Sequence, residues 1–285
     1  MLLPVCSFAQ ERMLEEVIVT AQKRSESVQD VPLAVSAIGA ATIEEAGIIS
    51  TTDLTRLVPS LTATEGQNKQ NASFNIRGVG TNVFSIGVET SVAVVIDDVS
   101  TVQAGQALTN LVDIERIEVL RGPQSTLFGK SASAGLINVA TKAPAEELEG
   151  FVQAAATDDD EQRVSGSISG PITDTTGYRL TGYWSDLDGY LDNLTYGDEL
   201  NRTKSWGTRG KFRWDISELV HMEAIAYYGK DDSDCCGGTW VELDPEARLF
   251  NVVQEPPAPD ITPGDENRKI RTDDRPDSKN RKCRW

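Results

Sequence analysis

The chain has 285 residues, with 27 Lys and Arg against 44 Asp and Glu, a net charge of −17 and one His. That length accommodates two domains, and the acidic balance excludes the basic face that a nucleic-acid binder needs. No run of 18 apolar residues occurs, so no transmembrane helix is expected.

Residues 1–9 read as the remnant of a signal peptide. A short apolar run (Leu2, Leu3, Pro4, Val5) precedes the small-x-small pattern Ser7-Phe8-Ala9 before Gln10. Cys6 stands where a lipoprotein site would, but Pro4-Val5 are not the small residues such a site uses. Within the segment 10–29, Glu16-Val17-Ile18-Val19-Thr20-Ala21 is a β-prone strip. The polar stretch Gln22 to Asp30 follows with no Gly or Pro turn signal. The strip is therefore expected to be an unpaired strand on a polar tether, a template for another chain. An ordinary edge strand of a nearby sheet is the plainer alternative.

Residues 30–145 read as a small mixed α/β domain. Val31 to Ser36 is a short strand, Thr42-Ile43-Glu44-Glu45 a capping-box helix start with Gly47 as its stop, and Ser50 to Asp53 a second helix start that ends near Val58. Ser73 to Gly78 alternates as a strand, and Val92 to Ile96 is an apolar run suited to burial on both faces. Ile114 to Arg121 alternates again, and Leu136 to Thr141 is the last strand before Pro144. Gly129-Lys130-Ser131 resembles the end of a phosphate loop, but the required earlier Gly is missing, with Gln124 in its place, and a strand follows instead of a long helix.

After residue 147 the apolar period becomes a strict two. Trp206, Thr208, Gly210, Phe212 and Trp214 share one face, and Ser205, Gly207, Arg209, Lys211 and Arg213 the other. Three basic residues cannot enter a sandwich core cheaply, yet they can line a wet lumen while the aromatic face meets lipid. Tyr178 to Trp184 and Met222 to Tyr228 repeat the pattern. Segments near 148–157, 162–170, 178–187, 204–215 and 221–230 are the expected strands, with short turns at 171–177 and 216–220 and long connections at 188–203 and after 231. A soluble Greek-key sandwich is the alternative on pattern alone. Cys235-Cys236 lack partners at metal-ligand spacing and read as a loop thiol pair. His221 lacks an acid–nucleophile companion, so no catalytic set can be built and neither an enzyme nor a bound metal or cofactor is expected. Residues 232–285 read as an extracellular-type loop and an unfolded, basic tail of frameshifted character, with Glu255-Pro256-Pro257-Ala258-Pro259 at its centre.

Several motifs in fixed order resemble the TonB-dependent outer-membrane receptors. Leu120-Arg121-Gly122-Pro123-Gln124-Ser125-Thr126-Leu127-Phe128-Gly129, continuing into Gly135 to Lys142, is similar to the end of that family's plug domain. Asn75 to Gly78, Val95 to Val99 and Asp53 to Pro59 match as well. The resemblance covers about residues 15 to 231. It implies an α+β plug domain followed by antiparallel transmembrane β-barrel strands, here an incomplete barrel, since even small barrels close with about eight strands.

The resemblance also implies a role. The strip Glu16, Val17, Ile18, Val19, Thr20 and Ala21 is similar to the TonB box, the segment that TonB takes as an added strand when driving import. Arg77 and Arg121 resemble plug arginines that pair with barrel glutamates. The loops Gly78 to Val88 and Ser100 to Gln106 become plug apices, with Thr81, Asn82, Phe84 and Gln103 as candidate ligand contacts. The implied partners are TonB, a small extracellular ligand such as a ferric siderophore and outer-membrane lipid, in a Gram-negative outer membrane. The rival expectation is a non-transporting product, either a soluble plug-like binding module or an inert gene fragment.

Overall fold

The computed structural model describes residues 18–20, 23–24, 26–64, 73–81, 88–101, 110–129, 131–157, 160–189, 191–193, 199–200, 202–233, 269–270 and 283–284. Cys235, Cys236 and the proline-rich stretch lie outside them.

The plug is built on a five-stranded sheet in the order β3-β9-β10-β7-β8. The strands are β3 (Ala34–Gly39), β7 (Val92–Ile96), β8 (Val99–Ser100), β9 (Ile114–Arg121) and β10 (Gly135–Thr141). β10 runs parallel to β7 and antiparallel to β9. Both faces of the sheet are covered. One packs Val92, Val94, Ile117, Val119, Ile137 and Val139 against Ile43 of helix α1 (Ala40–Glu45), Leu54 of the 3₁₀ helix Thr51–Arg56, and Leu61 and Phe74. The other packs Ala93, Val95, Leu120 and Leu136 against Val19, Val31 and Ala132. Successive residues of a strand point to opposite faces, so the uninterrupted apolar run of β7 is what burial on both sides requires.

Smaller elements complete the plug. β4 (Leu61–Thr64), β5 (Ser73–Ile76) and β6 (Val79–Gly80) form a second sheet, and α2 (Ser125–Phe128) precedes β10. Two hairpins turn on residues with positive φ at both central positions: Arg77 and Gly78 (54° and 75°), and Asp97 and Asp98 (46° and 65°). That is the conformation two-residue hairpins favour, and it stops β5 at Ile76, before the expected end at Gly78. Two other expectations also shift. The first core strand lies at 34–39, not 31–36, because Val31 packs into the core before the ladder begins. Helix α1 begins after Gly39, with no side-chain cap, so Thr42 lies inside the helix and does not open it. Gly47 at φ 60° ends that helix as expected. At the 3₁₀ helix the reciprocal cap does form, with the Ser50 amide donating to Asp53 Oδ2 at 2.9 Å.

The largest correction concerns the N-terminal strip. Its residues Ile18–Val19 form β1, which pairs antiparallel with β2 (Glu26–Ser27) in the register Ile18↔Ser27 and Val19↔Glu26. The strip is therefore not an unpaired strand, and Gln22 to Asp30 is not merely a tether. The chain reverses at Lys23, whose amide donates to the Thr20 carbonyl at 2.8 Å and whose φ is 59°.

The wall is a second, antiparallel sheet: β11 (Glu149–Ala156), β12 (Glu161–Thr173), β13 (Thr176–Leu187), β16 (Thr203–Ser217) and β17 (Val220–Ser233), paired in that order. Between β13 and β16 lie β14 (Leu191–Asn193) and β15 (Glu199–Leu200). In the segment expected to be unfolded, β18 (Lys269–Ile270) pairs with β14, and β19 (Cys283–Arg284) pairs with β17. The period-two pattern has a direct physical consequence. Val164, Ile168, Leu180, Trp184, Trp206, Trp214, Met222 and Tyr228 are exposed on the outer face, whereas Ser167, Ser169, Arg179, Thr181, Ser205 and Lys211 are buried on the inner face, toward the plug. Such a sheet suits hydrocarbon outside and a polar interior. Among the described residues no helix is long and apolar enough to cross a membrane.

Candidate functional site

The plug is held at two places, and both use polar side chains at buried positions. The first is the dock of the strip. Val19 is fully buried in the second core layer, which is worth about 1.5–3 kcal/mol. The next residue, Thr20, turns its backbone N–H to Glu118 Oε1 at 2.7 Å, and its hydroxyl lies 3.2 Å from the same oxygen. Glu118 is fully buried in β9. Arg116 Nε donates to Glu118 Oε1 at 2.9 Å, and Asn138 Nδ2 to Oε2 at 3.2 Å. Alternation puts Arg116, Glu118 and Leu120 on one face of β9, and the strip lies over that face.

The second is the contact between plug and wall. Arg179 of β13 forms a two-pronged pair with Asp113, Nε to Oδ2 and Nη2 to Oδ1, each at 2.6 Å. Its Nη1 reaches Glu149 Oε1 at 2.8 Å and the Ala143 carbonyl at 3.1 Å. Thr181 adds a hydroxyl to Asp113 Oδ2 at 2.6 Å. Burial alone would raise the Asp113 pKa, but the hydrogen bonds from Arg179, Thr181 and Ser167 and the Arg179 charge outweigh it and hold the carboxyl below its ordinary value. One strand over, Lys211 of β16 donates to Asp97 Oδ1 at 3.1 Å and to the Thr141 carbonyl at 3.0 Å. Asp97, at the β7–β8 turn, also accepts the Thr141 amide (2.9 Å) and hydroxyl (2.6 Å), which fixes it at the end of β10. Arg209 donates to the Val112 carbonyl at 2.8 Å, Arg213 to Glu146 at 2.9 Å, and Asn110 to Ser205 Oγ at 3.0 Å. The inward-facing basic residues of β16, Arg209, Lys211 and Arg213, thus meet carbonyls and carboxylates of the plug and of the segment that joins it to the wall, where a wet lumen is expected.

The anticipated site residues are placed unevenly. Thr20, Val19 and the backbone of Ile18 lie in the dock, while Glu16, Val17 and Ala21 fall outside the described residues. Arg121 donates Nε and Nη2 to the carbonyls of Ala34 and Val35 at 3.2 and 3.3 Å, so its guanidinium is used on the edge of β3. Arg77 is exposed at the tip of the β5–β6 hairpin and forms no ion pair among the described residues. Thr81 hydrogen-bonds Ser91 through their hydroxyls, and Asn82, Phe84 and Gln103 lie outside the description. His221 is an exposed strand residue beside its turn, 2.7 Å from Asp215. Glu118, Asp113, Asp97 and Arg179 were not singled out from sequence. For Glu118 a signal existed, since a Glu flanked by Ile117, Val119 and Leu120 in a core strand needs partners.

The sequence and the fold have counterparts in known proteins. A family model described as the TonB-dependent receptor plug domain matches residues 27–136. The pesticin receptor of Yersinia pestis is 30% identical over 253 residues, spanning 81% of this chain and 37% of the relative. The iron-regulated outer membrane virulence protein of Vibrio cholerae is 30% identical over 268 residues, 87% of this chain and 40% of the relative. Among solved structures, the ferric yersiniabactin uptake receptor FyuA from Yersinia pestis superposes with a TM-score of 0.66 at 25% identity, over 74% of this chain and 33% of that one. The ferripyoverdine receptor of Pseudomonas aeruginosa shares the fold, with a TM-score of 0.65 at 20% identity, over 79% of this chain and 29% of that one. The chain therefore spans well under half the length of the curated relatives it matches. A plug-domain match, a double-faced plug sheet and an amphipathic antiparallel wall agree: the chain carries the plug domain of a TonB-dependent receptor and part of its wall.

Proposed function

We propose that the chain serves energy-coupled import across a Gram-negative outer membrane. It supplies the plug and part of the wall of a receptor for a scarce small ligand such as a ferric siderophore, and TonB takes the strip Glu16 to Ala21 as an added strand. The observation that carries this reading is the strip's attachment. It is held by a two-residue ladder, one buried valine and Thr20, so one β partner can replace another without the plug sheet coming apart.

The relatives support the ligand class, since they include the ferric enterobactin receptor PirA of Pseudomonas aeruginosa, 27% identical over 189 residues. Thr81, Asn82, Phe84 and Gln103 are proposed as ligand contacts on the plug apices. Arg77, on its exposed hairpin, is better placed than Arg121 to meet a wall carboxylate. Import also needs further strands beside β11 and along the length of β17 that β19 leaves unpaired, because open sheet edges are not viable in hydrocarbon.

The test is Val19→Pro, which removes a backbone donor from the strip. In an iron-starved Gram-negative host carrying the receptor, this variant should still bind ferric siderophore and should lose TonB-dependent uptake. Undiminished uptake would refute the assignment of the strip.

A further inference from the structure

The strip's dock contains a carboxylate whose charge is balanced without the strip. Glu118 is fully buried. Two of its donors come from Thr20, the N–H at 2.7 Å and the hydroxyl at 3.2 Å. The other two come from the plug sheet itself: Arg116 Nε, two residues along β9, and Asn138 Nδ2, directly opposite on β10. Arg116 Nη2 also donates to the Thr20 hydroxyl at 3.0 Å, and Asn138 Nδ2 lies 3.4 Å from that oxygen.

We propose that Glu118 is the latch of the strip, positioned by Arg116 and Asn138, and that the strip becomes available to another β-strand only when Thr20 leaves it. The partner, TonB, rests on the function proposed above; the latch rests on the geometry alone. A backbone N–H on a buried carboxylate is a charge-assisted bond, stronger than a neutral one, so Thr20 sets the strip's register at its C-terminal end while β2 holds its middle. Departure of Thr20 leaves Glu118 with its guanidinium and its amide still in place. No bare buried charge is created, which is the outcome that makes breaking other buried pairs costly. The strip can therefore leave and return while β9 and β10 stay as they are.

Amide hydrogen exchange of the purified full chain in detergent tests this peptide by peptide. Glu118→Gln keeps the size and an acceptor but removes the charge. It should speed exchange in the peptide containing Ile18 to Thr20 by about tenfold and leave the peptide containing Gly135 to Thr141 unchanged. Thr20→Val removes the hydroxyl and does not touch the buried pair, so it should give a smaller rise in the same peptide, and it decides the matter if the first variant loosens the whole sheet. Unchanged protection of the strip in both variants overturns the latch. Binding of the periplasmic domain of TonB forms a separate arm. A latch weakened by a given factor should tighten this binding by up to that factor. Faster strip exchange with unchanged TonB affinity overturns the gating role. Failure of the unaltered chain to bind TonB at all refutes the assigned partner, while the exchange result still judges the latch.

Discussion

The two attachments of the plug differ in where the balancing charge resides. At the strip, Glu118 is neutralised by Arg116 on the same strand, so the moving part carries no charge of the pair. At the wall, Asp113 belongs to the plug and Arg179 to β13, and Asp97 and Lys211 are divided in the same way. Separation there would take Asp113 and Asp97 away from their cations, while Arg179 and Lys211 would keep only Glu149 and Glu223 on the wall. The costs differ accordingly. Releasing the strip gives up hydrogen bonds and the burial of one valine, whereas pulling the plug from this wall unpairs ions, at about 3–5 kcal/mol for a broken buried pair. A pull on the strip is thus expected to free the strip well before it frees this side of the plug.

The largest test of that contrast is Arg179→Met. It leaves Asp113 without its two-pronged partner and removes the donor to Glu149 and the Ala143 carbonyl. Urea unfolding in detergent should show a loss of about 3–5 kcal/mol, most of which Asp113→Asn in the same chain should restore. A loss below about 1 kcal/mol would mean that the wall pair is no stronger than a surface ion pair. Lys211→Met should cost less, about 2 kcal/mol, because Asp97 keeps the amide and hydroxyl of Thr141. If Lys211→Met proved the more damaging change, the ranking of the two contacts would be reversed.

Acid offers a third way to separate the attachments. Asp113 is held below its ordinary value of 3.8. A carboxyl of depressed pKa stabilises the docked state fully above its unfolded value and loses that contribution as pH falls through the lower native one. The stability difference between the natural chain and Asp113→Asn should therefore be constant from about pH 7 to 5 and shrink only below the ordinary carboxyl value. A difference that shrank at neutral pH would point to another titrating group.

How much of this was legible in the sequence depended on distance along the chain. The alternation of Trp206 to Trp214 against Ser205 to Arg213 revealed the two faces of β16, because a period of two is a local property. The motifs around Asn75, Val95 and Leu120 placed the plug strands for the same reason. The closure of the strip onto β2 was missed because its turn uses Lys23 at positive φ, without the glycine that usually marks such a reversal. The plug–wall ion pair and the hydrogen bonds of the strip were missed because Asp113 and Arg179 are 66 residues apart, and Thr20 and Glu118 are 98 apart. Only the buried position of Glu118 among apolar neighbours hinted that something polar must reach it. Arg121 teaches the opposite lesson. A motif singles out Arg121 as a partner for the wall, while its guanidinium serves the carbonyls of β3.

The smallest predicted effect isolates charge from contact. Asn110 joins plug to wall through a neutral bond to Ser205 at 3.0 Å, with no ion on either side. Asn110→Ala removes that bond and leaves a hydroxyl that can turn to another acceptor, so its cost should be about 1 kcal/mol. The loss should also stay the same across the acid range in which the Asp113 contribution disappears. If Asn110→Ala instead matched Arg179→Met in size, the number of plug–wall contacts, and not the division of charge between the two bodies, would be what fixes the plug in place. The distinction between a releasable strip and an anchored wall would then need a different physical basis.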